Sequence, residues 1–206
     1  MVFKLRFVMI SMSVFMLMVY FLSSNFLVSA ATPEKKGGNT MIVTSSGVVN
    51  GLMDKKYGKY GKQFFKGMPT LSLPLAIKEY PQNTKTFAII MEDKDAIPPT
   101  GFSWIHWSVA NLTKDFLEEN ASMNAKGFVQ GTNSWSSGLL SDRLDRYEAA
   151  KFGGPMPPDK PHTYEIHVFA LDNSLELQDG FYVNELYKAM EGHVLAQYTL
   201  KAIYPN

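Results

Sequence analysis

Lys151-Phe152-Gly153-Gly154-Pro155-Met156-Pro157-Pro158-Asp159-Lys160-Pro161-His162-Thr163-Tyr164-Glu165-Ile166-His167-Val168-Phe169-Ala170-Leu171-Asp172 is the stretch from which the rest of the chain can be read. Its first half holds two glycines and four prolines. Proline fixes φ and removes an amide donor, and glycine permits φ > 0, so this half is a shaped loop. The second half alternates as a strand does. Tyr164, Ile166, Val168 and Ala170 share one face, and Glu165, His167, Phe169 and Leu171 share the other. His162 stands at the junction, where scaffold holds a side chain on one side and a ligand can reach it on the other. A loop–strand junction with a capping histidine is the plainer reading of the same residues.

Upstream, Thr40–Thr44 reads as a first strand. Gly47, Gly51, Gly58 and Gly61 then punctuate a turn-rich section, with Tyr57, Tyr60, Phe64 and Phe65 as possible anchors. Met68–Leu75 is extended, and Pro74 gives it the character of an edge. Thr86–Met91 is a nearly continuous apolar run, which predicts a strand buried on both faces, although period alone does not separate it from a helix. It leads into Glu92-Asp93-Lys94-Asp95, whose two aspartates share a face if extended. Ser103–Asn111 is a further strand, predicted to set Trp104, His106, Ser108 and Ala110 on one face and Ile105, Trp107 and Val109 on the other. The chain from Asn111 to Ser141 is mostly loop. Ser141–Ala150 predicts a short solvated helix, capped by Ser141 and stopped by Gly153. Asn184–Gly192 predicts a second, with Leu186, Ala189 and Met190 on one face, and Leu195–Tyr204 closes the chain as a strand. Several strands, short late helices and long loops define a mainly β domain with peripheral helices.

The chain opens with Lys4 and Arg6, then a mostly apolar run from Phe7 to Leu22, then Ser29-Ala30-Ala31. Basic, apolar and small-residue regions in that order make a secretory signal, expected to be cut after Ala30, with Ala31 the second choice. The alternative is an uncleaved membrane anchor; the apolar run is short of the ~20 residues a spanning helix needs. No cysteine is present, which excludes a lipid-modified lipoprotein, disulfides and thiol catalysis. Residues 31–39 are polar and read as a flexible tether to a domain at 40–206. Removing residues 1–30 takes away Lys4 and Arg6 and no acid, leaving 18 basic and 19 acidic side chains, a net charge of −1 with histidines neutral. That balance gives no electrostatic case for nucleic acid.

The sequence carries no Gly-x-Ser-x-Gly elbow, no phosphate-binding glycine loop and no His-Glu-x-x-His. The polar residues at or near strand ends are Asp93, Asp95, His106, His162 and Tyr164. Taken singly, Asp93 and Asp95 read as turn formers and His106 as a core histidine. His167 and His193 read as structural. His162 and His167, five apart on a strand, face opposite sides, which argues against a shared metal.

Asp93-Lys94-Asp95-Ala96, His106-Trp107, Gly154-Pro155-Met156-Pro157-Pro158 and His162-Thr163-Tyr164 occur in the order and rough spacing of the phosphatidylethanolamine-binding protein family, and the chain resembles that family from about Met41 to Ile203. The ending Glu191-Gly192-His193-Val194-Leu195-Ala196 looks like its bacterial branch, labelled Raf-kinase-inhibitor-like. The resemblance implies a β-sandwich of antiparallel sheets with peripheral helices. It also implies a small anion-binding pocket made here by Asp93, Asp95, His106, Gly154, Pro155, His162 and Tyr164, with no metal and no cofactor. The chain departs from the family at Lys94 and at Leu73, each in place of a proline, at Thr163 in place of an arginine and at Ile77 in place of a tryptophan. Lys94 puts the turn between the aspartates in doubt, and Leu73 and Ile77 the packing of their segment.

Chemically, a histidine with one nitrogen held by a carboxylate can offer the other to an anion, and a tyrosine hydroxyl adds a neutral donor. Without an activated nucleophile, binding is favoured over catalysis. The expected function is therefore an exported, non-catalytic binding protein for a phosphate or phosphorylated head group. The alternatives are an inhibitor or interaction module acting on a kinase or protease, and a hydrolase using His106 or His162 as base. An exported protein would not meet cytoplasmic kinases.

Overall fold

A computed structural model describes residues 40–206; the expected signal at 1–30 and tether at 31–39 lie outside the described residues. The strands are β1 (Ile42–Thr44), β2 (Val48–Val49), β3 (Leu52–Met53), β4 (Phe64–Phe65), β5 (Met68–Pro69), β6 (Leu75–Lys78), β7 (Thr86–Asp93), β8 (Trp104–Leu112), β9 (Phe116–Leu117), β10 (Val129–Gln130), β11 (His162–Leu171) and β12 (Val194–Tyr204). Two short α-helices, α1 (Ile97–Thr100) and α2 (Val183–Met190), complete the regular elements apart from single 3-10 turns.

A seven-stranded sheet runs β10-β8-β7-β11-β12-β3-β2, a three-stranded sheet runs β1-β6-β9, and β4 pairs with β5. The pairing is antiparallel, as expected, with one exception. β3 runs parallel to β12, with Ile203 opposite Leu52. The β2–β3 hairpin carries one strand in each direction, and it is the parallel-running one that docks, through the Ile203 N–H to Gly51 O bond at 2.8 Å.

Alternation along the long strands builds two cores. Val43, Leu75 and Ile77 of the small sheet meet Ile89, Met91, Trp107, Val109, Ile166 and Val168 of the large one. On the large sheet's opposite face Ala88, Ile90, Ala110, Phe169 and Leu171 lie under Leu186 and Met190 of α2. The apolar run Thr86–Met91 is buried on both faces for this reason. Leu73 and Ile77, the two departures in their segment, are 0% and 2% exposed, so apolar bulk of this size fills that region.

α2 forms where its pattern predicts, starting one residue earlier, with Tyr182 N–H donating to Glu185 Oε2 at 2.6 Å. The helix expected at Ser141–Ala150 does not form. Side chains there take the backbone donors a helix would use. Tyr147 N–H goes to Asp145 Oδ1 at 2.8 Å and Asp145 N–H to Glu148 Oε2 at 3.2 Å. Nor is the segment only solvated: Leu144 and Ala149 are buried against Met68, Phe65 and Trp135.

Candidate functional site

Sheet register assembles the site. Trp104 of β8, Asp93 of β7 and Tyr164 of β11 are direct neighbours across three strands. Residues directly opposite on adjacent strands share a face, so the three project together. His162, two residues before Tyr164, joins that face by alternation.

His106 arrives by an irregularity. Met91 pairs with Trp107 and Glu92 with Ile105, so His106 has no opposite residue on β7. This bulge interrupts strict alternation. His106 and Trp107 both lie on the Tyr164 face, Trp107 in the core and His106 with its ring 5.0 Å from the Tyr164 ring. The expected grouping of His106 with Ser108 and Ala110 is therefore corrected: Ala110 belongs to the opposite core.

Together with Ala96, Pro99, Thr100, Trp135, Leu140, Met156 and Pro158, these residues line a cavity of about 270 Å³. Its walls are largely aromatic and aliphatic. Trp104 stacks on Phe102 at 5.6 Å and meets Trp135 edge-on at 5.3 Å. Gly153 makes room for Trp135, since a Cβ there would lie 2.6 Å from the indole.

The polar floor has a defined proton arrangement. His106 Nδ1 lies 2.6 Å from Gly153 O, and a carbonyl only accepts, so Nδ1 carries the proton. Burial pushes the His106 pKa down to about 4, against the Gly153 carbonyl and Asp93, which favour the cation. The ring is therefore neutral at pH 7, with Nε2 as an acceptor. His162 differs. Nδ1 lies 2.7 Å from Asp93 Oδ2 and Nε2 2.8 Å from Asp159 Oδ1. Burial opposes charge there, but the two carboxylates outweigh it and raise the pKa. With a carboxylate oxygen facing each nitrogen, the arrangement favours the imidazolium, which donates from both.

Tyr164 is fully buried and its hydroxyl, drawn toward Asp93, completes no hydrogen bond of good geometry; among the described residues only Ser108 Oγ shares that condition. Ser108 belongs to the opposite face, beside Phe181, whereas Tyr164 lines the cavity. Burial chiefly, with Asp93 nearby, raises the Tyr164 pKa, so the phenol keeps its proton.

Of the seven residues singled out in the sequence, Asp93, His106, His162 and Tyr164 line the cavity, and Asp95, Gly154 and Pro155 do not. Asp95 Oδ2 accepts from Thr163 N–H at 2.9 Å and so ties the start of β11 to the turn after β7. Gly154 N–H is spent on Pro69 O at 2.8 Å, and a Cβ on Gly154 would overlap the Tyr57 carbonyl oxygen. Pro155 O accepts from Lys59 N–H at 2.8 Å. Gly154 and Pro155 shape the loop that walls the cavity, and Asp95 fixes the strand that follows it. The turn around Lys94 is closed by Ala96 N–H to Asp93 Oδ1 at 3.2 Å, while Lys94 Nζ reaches Glu165 at 2.6 Å.

Asp159, Trp135, Trp104, Met156 and Leu140 were not singled out. Only Asp159 carried a sequence signal, as an acid three residues before His162 inside a proline-fixed loop. His167 and His193 are held structurally, by Thr199 with Glu92 and by Asp172 respectively. Glu92, Glu165 and His167 bring ligand atoms within 4.8 Å of one another. Lys94 and Lys201 already bridge Glu165 at 2.6 and 2.8 Å, and the cluster is an ion-pair network. The hydrogen bond from His167, acting against burial, leads in holding Glu92 down at about 2.

The mainly β fold thus carries an aromatic-walled cavity over a buried His–Asp pair. The chain belongs to the phosphatidylethanolamine-binding protein family, whose sequence pattern matches residues 44–205. It is 41% identical over 159 residues to the uncharacterised protein YxkA of Bacillus subtilis, covering 75% of this chain and 94% of that one. It is 36% identical to a UPF0098 protein of Methanothermobacter thermautotrophicus, over 65% of this chain and 82% of that one. Among solved structures it is similar to the putative family homologue CT736 of Chlamydia trachomatis, with a TM-score of 0.65 and 30% identity over 82% of this chain and 99% of that one. It is also similar to YbcL of Escherichia coli, with a TM-score of 0.63 and 27% identity over 81% of this chain and 98% of that one.

Proposed function

We propose that this protein is an exported, non-catalytic binding protein that takes a phosphate or phosphate monoester head group onto the floor of the cavity. The observation that carries the reading is the Tyr164 hydroxyl, buried beside the cavity with no partner. An unmet buried donor costs about 1–3 kcal/mol, and a ligand acceptor would recover it. His106 Nε2 offers the complementary acceptor. A phosphate monoester monoanion carries both functions, with bare oxygens for Tyr164 and a hydroxyl for His106. Trp104, Trp135 and Met156 would pack the apolar remainder of such a ligand. The cavity lies at the small end of ligand sites, which suits a head group better than a large molecule. The family's name refers to a phospholipid whose head group is itself a phosphate ester. Catalysis is not part of the reading: Thr100 Oγ1, the hydroxyl on the wall with nucleophilic chemistry, donates to Ala96 O at 2.6 Å.

The test is thermal unfolding with inorganic phosphate and with phenyl phosphate at constant ionic strength. A ligand that binds only the folded state adds about 2.7 kcal/mol at a hundredfold excess over Kd. The melting temperature should rise with concentration, the rise should be lost in Tyr164→Phe and His106→Ala, and His193→Ala should respond as wild type does. Equal responses from wild type and Tyr164→Phe would remove the cavity from the binding event.

A further inference from the structure

Resting on the acid-binding reading of the cavity, we propose that Asp159 is a built-in competitor: its carboxylate holds the outer nitrogen of His162, and an acidic head group gains that nitrogen only by displacing it. The two carboxylates on His162 are not equivalent. Asp93 is 3% exposed and is fixed twice, by His162 Nδ1 at 2.7 Å and by Ala96 N–H at 3.2 Å. Asp159 has a side chain 49% exposed; its side-chain partner is His162 Nε2 at 2.8 Å, and the backbone N–H groups of Lys160 and of Asp159 itself lie close to the same carboxylate. Releasing Asp93 would strand a buried charge. Releasing Asp159 returns a carboxylate to water, where it is fully solvated. The bond Asp159 makes is of the kind a phosphate oxygen would make: an anionic oxygen on an imidazolium N–H.

The chain connectivity links the exchange to ligand entry. Asp159 sits on the loop whose Met156 and Pro158 form part of the cavity wall, three residues from His162. Pro157, Pro158 and Pro161 stiffen that loop, so the carboxylate is held near the nitrogen at high local concentration. A site open for only a fraction of the time binds more weakly by that fraction. Asp159 thereby sets a threshold. A neutral ligand can offer His162 only an uncharged acceptor and so a weaker bond in exchange, whereas a phosphate ester replaces the lost bond with one at least as strong.

The experiment is calorimetric titration of the purified chain with phenyl phosphate, comparing wild type, Asp159→Asn and Asp159→Ala. The competitor model expects Asp159→Ala to bind about tenfold more tightly or better, the equivalent of one charge-assisted hydrogen bond no longer in the way. Asp159→Asn, which still accepts a bond from Nε2 but without charge, should fall between the two. If Asp159 merely steadies the loop, Asp159→Ala binds equally or less tightly, and the inference is overturned. A gain that disappears at high salt marks through-space repulsion instead of displacement, and also overturns it. Wild-type binding with no gain in Asp159→Ala removes only this inference. Absence of binding in both wild type and Asp159→Ala removes the acid-binding reading as well.

Discussion

His162 and Asp93 share a 2.7 Å hydrogen bond between the first residue of β11 and the last residue of β7, with the imidazole entirely buried. Because Asp93 also closes the turn after β7 through Ala96 N–H, one carboxylate couples the turn, the strand end and the cavity floor. Removing Asp93 leaves His162 with Asp159 as its remaining carboxylate and frees both His162 Nδ1 and the Ala96 N–H, which costs about 1–3 kcal/mol. Asp93→Ala is accordingly expected to lower stability by that order, measured by urea unfolding. A loss below about 1 kcal/mol would show that the pair is solvated and not structural.

Tyr164→Phe is expected to separate stability from binding. It deletes a hydroxyl that is buried without a partner, while the ring keeps its contacts with His106 at 5.0 Å and Tyr204 at 6.4 Å. Relief of an unmet donor should leave the ligand-free protein as stable as wild type or stabler by about 1 kcal/mol. The same substitution should abolish the phosphate-induced rise in melting temperature. A destabilised Tyr164→Phe protein would mean that the hydroxyl already has a partner, most directly a buried water.

Leu144→Ala and Leu140→Ala distinguish anchor from wall. Leu144 is 5% exposed and packs with Met68 and Ala149, whereas Leu140 lines the cavity. Truncating a buried leucine costs about 2–5 kcal/mol, so Leu144→Ala should lower the denaturation midpoint clearly. Leu140→Ala should leave the midpoint nearly unchanged and weaken phenyl phosphate relative to inorganic phosphate, since only the former uses the apolar wall. The reverse pattern would show that Ser141–Ala150 adds little to the core, as a solvated segment would.

The long strands were legible from the two-residue period of β11 and β12 and from the apolar run of β7, and the motif residues Asp93, His106, His162 and Tyr164 fall at or near the ends of the long strands. Three features were not. The bulge at His106 adds one residue to one strand, and alternation read along a single strand cannot register a mismatch with its partner. The side chains of Asp145 and Glu148 satisfy backbone donors locally, which charge pattern alone does not distinguish from a solvated helix face. Trp135 reaches the cavity from a 3-10 turn in a long loop, through a tertiary contact with no local periodicity. Asp159 was visible as a residue but not as a partner, because its role exists only once the proline loop folds back on His162.

Export predicts a processed chain. Lys4 and Arg6 before the apolar run, with Ser29-Ala30-Ala31 after it, should direct cleavage after Ala30 or Ala31. Intact mass of protein recovered outside the native cell should then correspond to a chain beginning at Ala31 or Thr32. A chain retaining Met1 in the membrane fraction would establish the anchor instead.

The two cavity histidines should give opposite pH signatures. For His106 the folded pKa, about 4, lies below the ordinary value of 6.5. Between those values the unfolded chain binds a proton that the folded chain refuses, so this group's contribution is intact above 6.5 and declines as pH falls toward 4. The full difference corresponds to roughly 3 kcal/mol. For His162 the folded pKa is raised, by Asp93 and Asp159 against burial. Its contribution is complete below 6.5 and is lost as pH rises through the folded value. Stability followed by chemical unfolding across pH 4 to 9 should therefore pass through a maximum. His106→Gln should flatten the acid limb only, and His162→Gln the alkaline limb only. If His106→Gln leaves the acid limb unchanged, His106 is not buried in neutral form, and its Nε2 is not the acceptor that the phosphate-monoester reading requires.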